Sequence, residues 1–181
     1  VDAPDKWAKE RPDVLALRKD VTGYDWSSLH GQSDASEAGE TIVSQINRRD
    51  VFRGAAAMPD NLLLIGPPAT GKGSLAKIIA SKADCVYYKV DAKFIDASKR
   101  HWDALFDIAQ HDQKPAVIFI DECDAVFNER AQSKTRNVQR LWEGDKSYPN
   151  VLIMAATNYP EKLPSAMRSR FTNEVKFMSL G

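Results

Sequence analysis

The sequence predicts an α/β fold, a three-layer sandwich in which helices cover both faces of a mainly parallel five-stranded sheet. Three observations lead there. Short apolar runs recur along the 181 residues: "LLLI" (62–65), "CVYYKV" (85–90), "AVIFI" (116–120), "VLIMAA" (151–156) and "EVKF" (174–177). The stretches between them carry helical spacing, with Leu75, Ile78 and Ile79 on one face, and Trp102, Leu105, Phe106 and Ala109 at i, i+3, i+4, i+7. Strands that alternate with helices need right-handed crossovers, which make neighbouring strands parallel and bury both sheet faces. In such sheets ligands gather at the carboxyl ends of the strands.

Taken in order, residues 1–33 are polar and broken by Pro4, Pro12 and Gly23, and read as a lead-in with one short helix. Residues 34–181 read as a single domain. A helix is expected from Ser33 or Asp34 as its cap, with Ile42, Val43 and Ile46 on one face. Pro59, Asp60 and Asn61 then break the chain before the first apolar run. Lys plus Arg equals Asp plus Glu at 25 each, so no net field points to nucleic acid or to an anionic membrane. Cys85 and Cys123 form no C-x-x-C or Cys/His pattern, which argues against a zinc site or disulfide framework and for a reducing compartment. No apolar run reaches the roughly 20 residues that span a bilayer, and the N-terminus lacks the apolar core of a signal peptide. A soluble, intracellular and cytoplasmic protein is expected, and Val1 in place of Met suggests processing or trimming.

Four motifs carry chemistry. The first, Gly66-Pro67-Pro68-Ala69-Thr70-Gly71-Lys72-Gly73, fits G-x-x-x-x-G-K between an apolar strand and an amphipathic helix. In that context backbone amides curl around phosphate oxygens, the lysine reaches the outer phosphates, and the helix offers its positive end. The bland alternative is a Gly/Pro turn with a lone lysine. The second is "AVIFIDECD": the strand delivers Asp121, which can hold Mg2+ directly or through water, and Glu122, which can polarise a water as general base. Elsewhere such a pair is often a solvated loop. The third is "VLIMAATNYP", where Asn158 can orient a water beside a terminal phosphate or serve ordinary turn chemistry. The fourth is "LPSAMRSRF", whose Arg168 and Arg170 offer planar forks for phosphate or are surface arginines.

In this order the four motifs resemble those of the AAA+ ATPases, and the resemblance runs from about Asp25 to Phe177. It implies a P-loop NTPase sheet, ATP/ADP and Mg2+ as cofactors, ring assembly (homo- or hetero-oligomeric, a hexamer favoured) and sites shared between subunits. By resemblance Gly66 to Lys72 are the Walker A loop and Asp121 and Glu122 the Walker B pair. Asn158 corresponds to sensor 1, Arg168 and Arg170 to the arginine-finger region. "YDWSSLHGQ" (24–32) is similar to the segment beside the adenine, which puts Leu29, His30 and Gly31 there.

Departures from the family pattern bound the expectation. Ala69 stands for a glycine, and Gly73 for the hydroxyl that ligates Mg2+. Ser74 is no simple substitute, since one helical position turns a side chain by about 100°. Nucleotide binding is expected, with slower hydrolysis. The connection "DAKFIDASKRH" lacks the aromatic-x-Gly loop of substrate-threading members, so Phe94 and Trp102 read as core. The family's helical lid would lie beyond Gly181. "SRF" is similar to clamp-loader-type members, whereas the segment from Tyr24 resembles the microtubule-severing and membrane-remodelling branch. His30, His101 and His111 show no metal spacing, Cys123 reads as a small buried residue, and Lys134, Arg136 and Arg140 as a solvated face with nucleic-acid contact as the minority reading. Three functions follow: an ATPase that remodels a macromolecular partner, a catalytically weakened switch or scaffold subunit, and a clamp-loader-like ATPase of DNA metabolism.

Overall fold

A computed structural model describes residues 12–48, 58–59, 61–90, 99–127, 148–171 and 173–179. Phe94, Lys134, Arg136, Arg140 and most of the "DAKFIDASKRH" connection lie outside the described residues. The elements are α1 (Pro12–Leu15), β1 (Arg18–Lys19), a 3-10 turn (Trp26–Ser28), α2 (Ser33–Asn47), β2 (Leu62–Ile65), α3 (Lys72–Lys82) and β3 (Val86–Val90). There follow α4 (Lys99–Gln110), β4 (Ala116–Ile120), α5 (Cys123–Val126), β5 (Val151–Thr157), a second 3-10 turn (Pro160–Lys162), α6 (Ser165–Arg168) and β6 (Asn173–Lys176).

The strands form one sheet in the order β1-β3-β4-β5-β2-β6. The five expected strands are all there, mutually parallel, and a sixth, β1, pairs antiparallel with β3 at the edge. The expected count of five is thus corrected to six. The extra strand is two charged residues long, too short and too polar to give an apolar period. It is held in place by its side chain: Arg18 donates from Nη2 to Asp112 Oδ1 at 2.6 Å and from Nε to the Tyr88 hydroxyl at 2.9 Å, and Tyr88 in turn donates to Asp112.

Period-two alternation along each strand divides the core in two. Leu63, Tyr88, Val90, Ile118, Ile120, Ile153 and Ala155 face α1, α4 and α6, where they meet Val14, Trp102, Leu105, Phe106 and Met167. Leu62, Leu64, Tyr87, Val117, Phe119, Leu152 and Met154 face α2 and α3, with Ile42, Leu75, Ile78 and Ile79. Trp102 is buried among these residues, in agreement with its helical spacing. The cap of α2 is Gln32 rather than Ser33 or Asp34, and its side chain makes no capping bond. Its amide instead grips Met178, donating from Nε2 to the carbonyl at 2.7 Å and accepting the Met178 N–H at 3.0 Å.

Trp102 is a large, buried side chain of its layer, so Trp102→Ala is expected to cost about 3–5 kcal/mol of stability. The check is the urea midpoint at unchanged m-value. A loss below about 1 kcal/mol would show that this layer is loosely packed.

Candidate functional site

The carboxyl ends of β2, β4 and β5 converge on one cleft of about 410 Å³. Pro68, Ala69, Thr70, Gly71, Lys72, Gly73 and Ser74 form one wall, with Asp121, Glu122 and Asn158 opposite. The loop between β2 and α3 starts where the Gly66 N–H donates to the Thr157 carbonyl at 3.3 Å. Gly66 has no room for a side chain, because a Cβ there would lie 2.8 Å from the Phe177 carbonyl oxygen. The loop then passes through two left-handed residues, Ala69 at φ 60° and Gly71 at φ 103°. For Gly71 this is a normal role, whereas an alanine in that region carries roughly 1–2 kcal/mol of strain.

Lys72 is buried and folds back on its own loop, donating from Nζ to the carbonyls of Gly66 at 2.8 Å and Pro67 at 2.7 Å. Burial lowers the pKa of its ammonium group, and the Asp121 carboxylate acts in the opposite sense. The Thr70 hydroxyl donates to the same Pro67 carbonyl at 2.8 Å. A cation at the start of an eleven-residue helix suits an anionic ligand. At Gly73 a Cβ would meet only the ring edge of Phe119, at 3.8 and 3.9 Å, which is ordinary contact. Nothing in the packing demands glycine there. Ser74 lines the cleft although it is one helical position further on.

Across the cleft Asp121 is exposed, and its Oδ1 accepts the Glu122 N–H at 2.9 Å. Glu122 caps α5 in the left-handed region, at φ 50° and ψ 48°. The strain turns the chain sharply at the strand end and leaves the Glu122 carboxylate exposed on the cleft. The end of β5 is tied to α5 by the Thr157 hydroxyl, which donates to Asp124 Oδ1 at 2.7 Å and accepts the Tyr159 N–H at 2.9 Å. That bond fixes Asn158 relative to Glu122. Among the described residues no group of three or more His, Cys, Asp or Glu can hold a metal unaided. One carboxylate at the rim of a phosphate-type loop fits Mg2+, a cation usually bound by one or two carboxylates together with substrate phosphates and water.

Other expected residues lie apart from this cleft. Leu29 is buried behind Gly71, its Cδ2 2.9 Å from where a Cβ would stand, while His30 and Gly31 are exposed; none of the three lines the cleft. Arg168 and Arg170 are also outside it, and Arg168 is engaged by Glu174 in a fork of 2.9 and 3.0 Å. Each partner of that pair holds the other charged: the Arg168 hydrogen bond lowers the pKa of Glu174, and the Glu174 hydrogen bond raises that of Arg168. Cys123 is buried as expected, and burial pushes its thiol pKa far up. Lys77, Tyr87, Lys89 and Phe119 complete the wall and were not anticipated. Lys77 follows Gly73 by one helical turn, and Tyr87, Lys89 and Phe119 sit inside apolar runs whose in-or-out phase the sequence does not fix. The Tyr87 hydroxyl is buried without a hydrogen-bond partner among the described residues, at a cost of about 1–3 kcal/mol.

The sheet order, the loop and the acidic strand end define a phosphate-loop α/β domain. Residues 62–179 match the family described as "ATPase family associated with various cellular activities (AAA)", and the chain belongs to that family. It is 32% identical over 173 residues to Fidgetin-like protein 1 of Caenorhabditis briggsae, covering 88% of this chain and 29% of that protein. Spastin of Ixodes scapularis is 34% identical over 165 residues, covering 83% and 25% respectively. The chain therefore spans less than a third of these curated relatives. Among solved structures, the crystal structure of the FIGL-1 AAA domain in complex with ADP superposes with a TM-score of 0.77 at 27% identity, over 92% of this chain and 61% of that one.

Because the strain at Ala69 exceeds the extra backbone entropy of glycine, Ala69→Gly is expected to stabilise the chain by about 0.5–1 kcal/mol. Thermal unfolding of the two proteins checks this. A lower midpoint for the glycine variant would show that Ala69 is not strained.

Proposed function

We propose that this chain is an ATP-binding and ATP-hydrolysing core whose turnover drives the remodelling of a macromolecular partner within a ring of subunits. The observation that carries the reading is the gathering of Lys72, Asp121, Glu122 and Asn158 around one cleft, beside a loop that turns through left-handed Ala69 and Gly71. The loop amides and Lys72 bind the outer phosphates, Lys72 exchanging its two carbonyl partners for phosphate oxygens. Asp121 holds Mg2+, which when bound neutralises charge on the phosphates. Glu122 accepts a proton from the attacking water and Asn158 orients that water. Arg168 and Arg170, outside the cleft of their own chain, serve the site of a neighbour, with the Glu174 fork breaking as the ring forms. Leu29 supports the loop from behind, and His30 and Gly31 border the base.

The Fidgetin-like and Spastin relatives favour the severing and remodelling branch over a clamp-loader-like role in DNA metabolism. The balanced charge is in keeping with that. A homo- or hetero-oligomeric ring, with a hexamer favoured, and a cytoplasmic location belong to the same proposal. Among the described residues no helix is long and apolar enough to cross a membrane. Gly73 supports a second reading, that of a nucleotide-held subunit with weak turnover.

Phosphate release from Mg-ATP, measured across protein concentrations, separates the two. Turnover per subunit is expected to rise with concentration, since an arginine supplied in trans is worth about 10³–10⁵ in rate. Glu122→Gln is expected to keep ATP binding and to lose about 10²–10⁴-fold in turnover. Unchanged turnover in that variant would remove Glu122 from the mechanism. Tight binding without release, restored by Gly73→Thr, would establish the nucleotide-held subunit instead.

A further inference from the structure

A row of side chains runs from the sheet to the loop helix on the α3 side of the cleft. Tyr87 of β3 stacks beside Phe119 of β4, with ring centroids 6.4 Å apart and planes inclined by 23°. The far edge of Phe119 faces the Cα of Gly73 across the gap in which a side chain would make ordinary contact. Phe119 precedes Asp121 by two residues on the same strand, and all four residues line the cleft. The Tyr87 hydroxyl is sealed from solvent and lacks a hydrogen-bond partner among the described residues. Burial is the main cause that raises its pKa, followed by the Asp121 carboxylate and then the Tyr24 phenol, so those two groups are its electrostatic neighbours. Tyr24 is already engaged, with Lys77 Nζ 3.4 Å from its hydroxyl and 5.2 Å from its ring centroid.

A buried hydroxyl without a partner is costly, and a ligand, ion or water that supplies the partner is one physical account of it. A phenylalanine would fill the same volume and keep the stacking on Phe119, so the oxygen itself calls for an explanation. It belongs to the cleft wall in which α3 carries Gly73 in place of a hydroxyl residue, and Asp121 lines the same cleft.

We propose that Tyr87 is a positioning residue of the nucleotide site, whose phenol hydroxyl supplies from β3 the hydrogen bond that Gly73 does not supply from α3. It engages Asp121, or a water held between Asp121 and the phosphates, once Mg-nucleotide fills the cleft. The inference rests on the nucleotide reading above and deepens it, since it assigns a hydroxyl to the metal side of a site that otherwise offers one carboxylate.

The test is calorimetric titration of ADP into the 181-residue chain, as wild type, Tyr87→Phe and Tyr87→Phe with Gly73→Ser, each with Mg2+ and with EDTA. In EDTA the wild type and Tyr87→Phe are expected to bind ADP alike. The gain in affinity on adding Mg2+ is expected to fall about tenfold in Tyr87→Phe, the effect of losing a partner that orients a metal ligand. Gly73→Ser is expected to restore it. Without ligand, Tyr87→Phe should melt no lower than the wild type, because the lost hydroxyl had no partner. An equal Mg2+ gain in wild type and Tyr87→Phe, or equal weakening with Mg2+ and with EDTA, overturns the role of Tyr87. A Gly73→Ser change that leaves the deficit in place overturns the substitution for Gly73. If the wild type binds no ADP even in EDTA, the nucleotide reading itself fails, an outcome distinct from the others.

Discussion

The register of three central parallel strands is the constraint on which the site depends. β2 pairs with β5 so that Ile65 stands opposite Thr157, and β5 pairs with β4 so that Ala155 stands opposite Ile120. The next residue of β2 is Gly66, where the phosphate-type loop starts; the next of β4 is Asp121; and Asn158 follows Thr157 on β5. Three chemically distinct residues, far apart in sequence, are thus brought to one edge by strand pairing, with the Thr157–Asp124 bond tying the end of β5 to α5. A slip of one residue in either pairing would turn every side chain of that strand to the opposite layer, exchanging Leu63 for Leu64 or Ile118 for Phe119. The two packed layers therefore hold the site in register, and burial of their apolar residues is its energetic support.

Strain and unsatisfied chemistry concentrate where the strands end. Of the three non-glycine residues at positive φ among those described, Ala69 and Glu122 border the cleft. Lys72 is a desolvated cation resting on carbonyls that cannot neutralise it, and the Tyr87 hydroxyl is buried beside the same space without a partner. Each is unfavourable in the free protein, and the last two are of a kind that an anionic, hydrated ligand would relieve. The body of the sheet departs from this pattern, with apolar strands and α-helices in ordinary geometry. Asp84, the third non-glycine residue at positive φ, lies before β3 at the other end of the sheet. The gathering of the remaining conflicts around the cleft is the distribution expected of a binding site.

Much of this was legible in the sequence. Four of the five parallel strands, β2 to β5, are mainly apolar because both faces of the sheet are covered there, whereas edge strand β6 buries only Val175. The two helices between them show their apolar spacing plainly. The loop, the acidic pair and Asn158 follow from motif and context together, since each stands just after a strand. What was not legible has physical causes. β1 is two charged residues held by the Arg18–Asp112–Tyr88 network, a contact between distant segments that leaves no local pattern. Gln32 gives no capping signal in the sequence, because its amide pairs with Met178 at the other end of the chain and not with the start of α2. Tyr87 and Phe119 look like any aromatic residues in a buried strand; only the alternation of faces, fixed by the fold, puts them beside Gly73. Arg168 carries no sequence mark of its pairing with Glu174, six residues on, which turns its fork toward its own chain.

The claim that everything else presupposes is that Lys72 and the surrounding loop bind the phosphates of a nucleotide. The most direct measurement is an equilibrium titration of ADP against the wild-type chain and Lys72→Ala at matched ionic strength. The account predicts one saturable site per chain in the wild type and affinity lower by roughly 10–100-fold in the variant, the worth of a charge-assisted hydrogen bond. Equal affinity in the two proteins, or no saturable binding in the wild type, would contradict it.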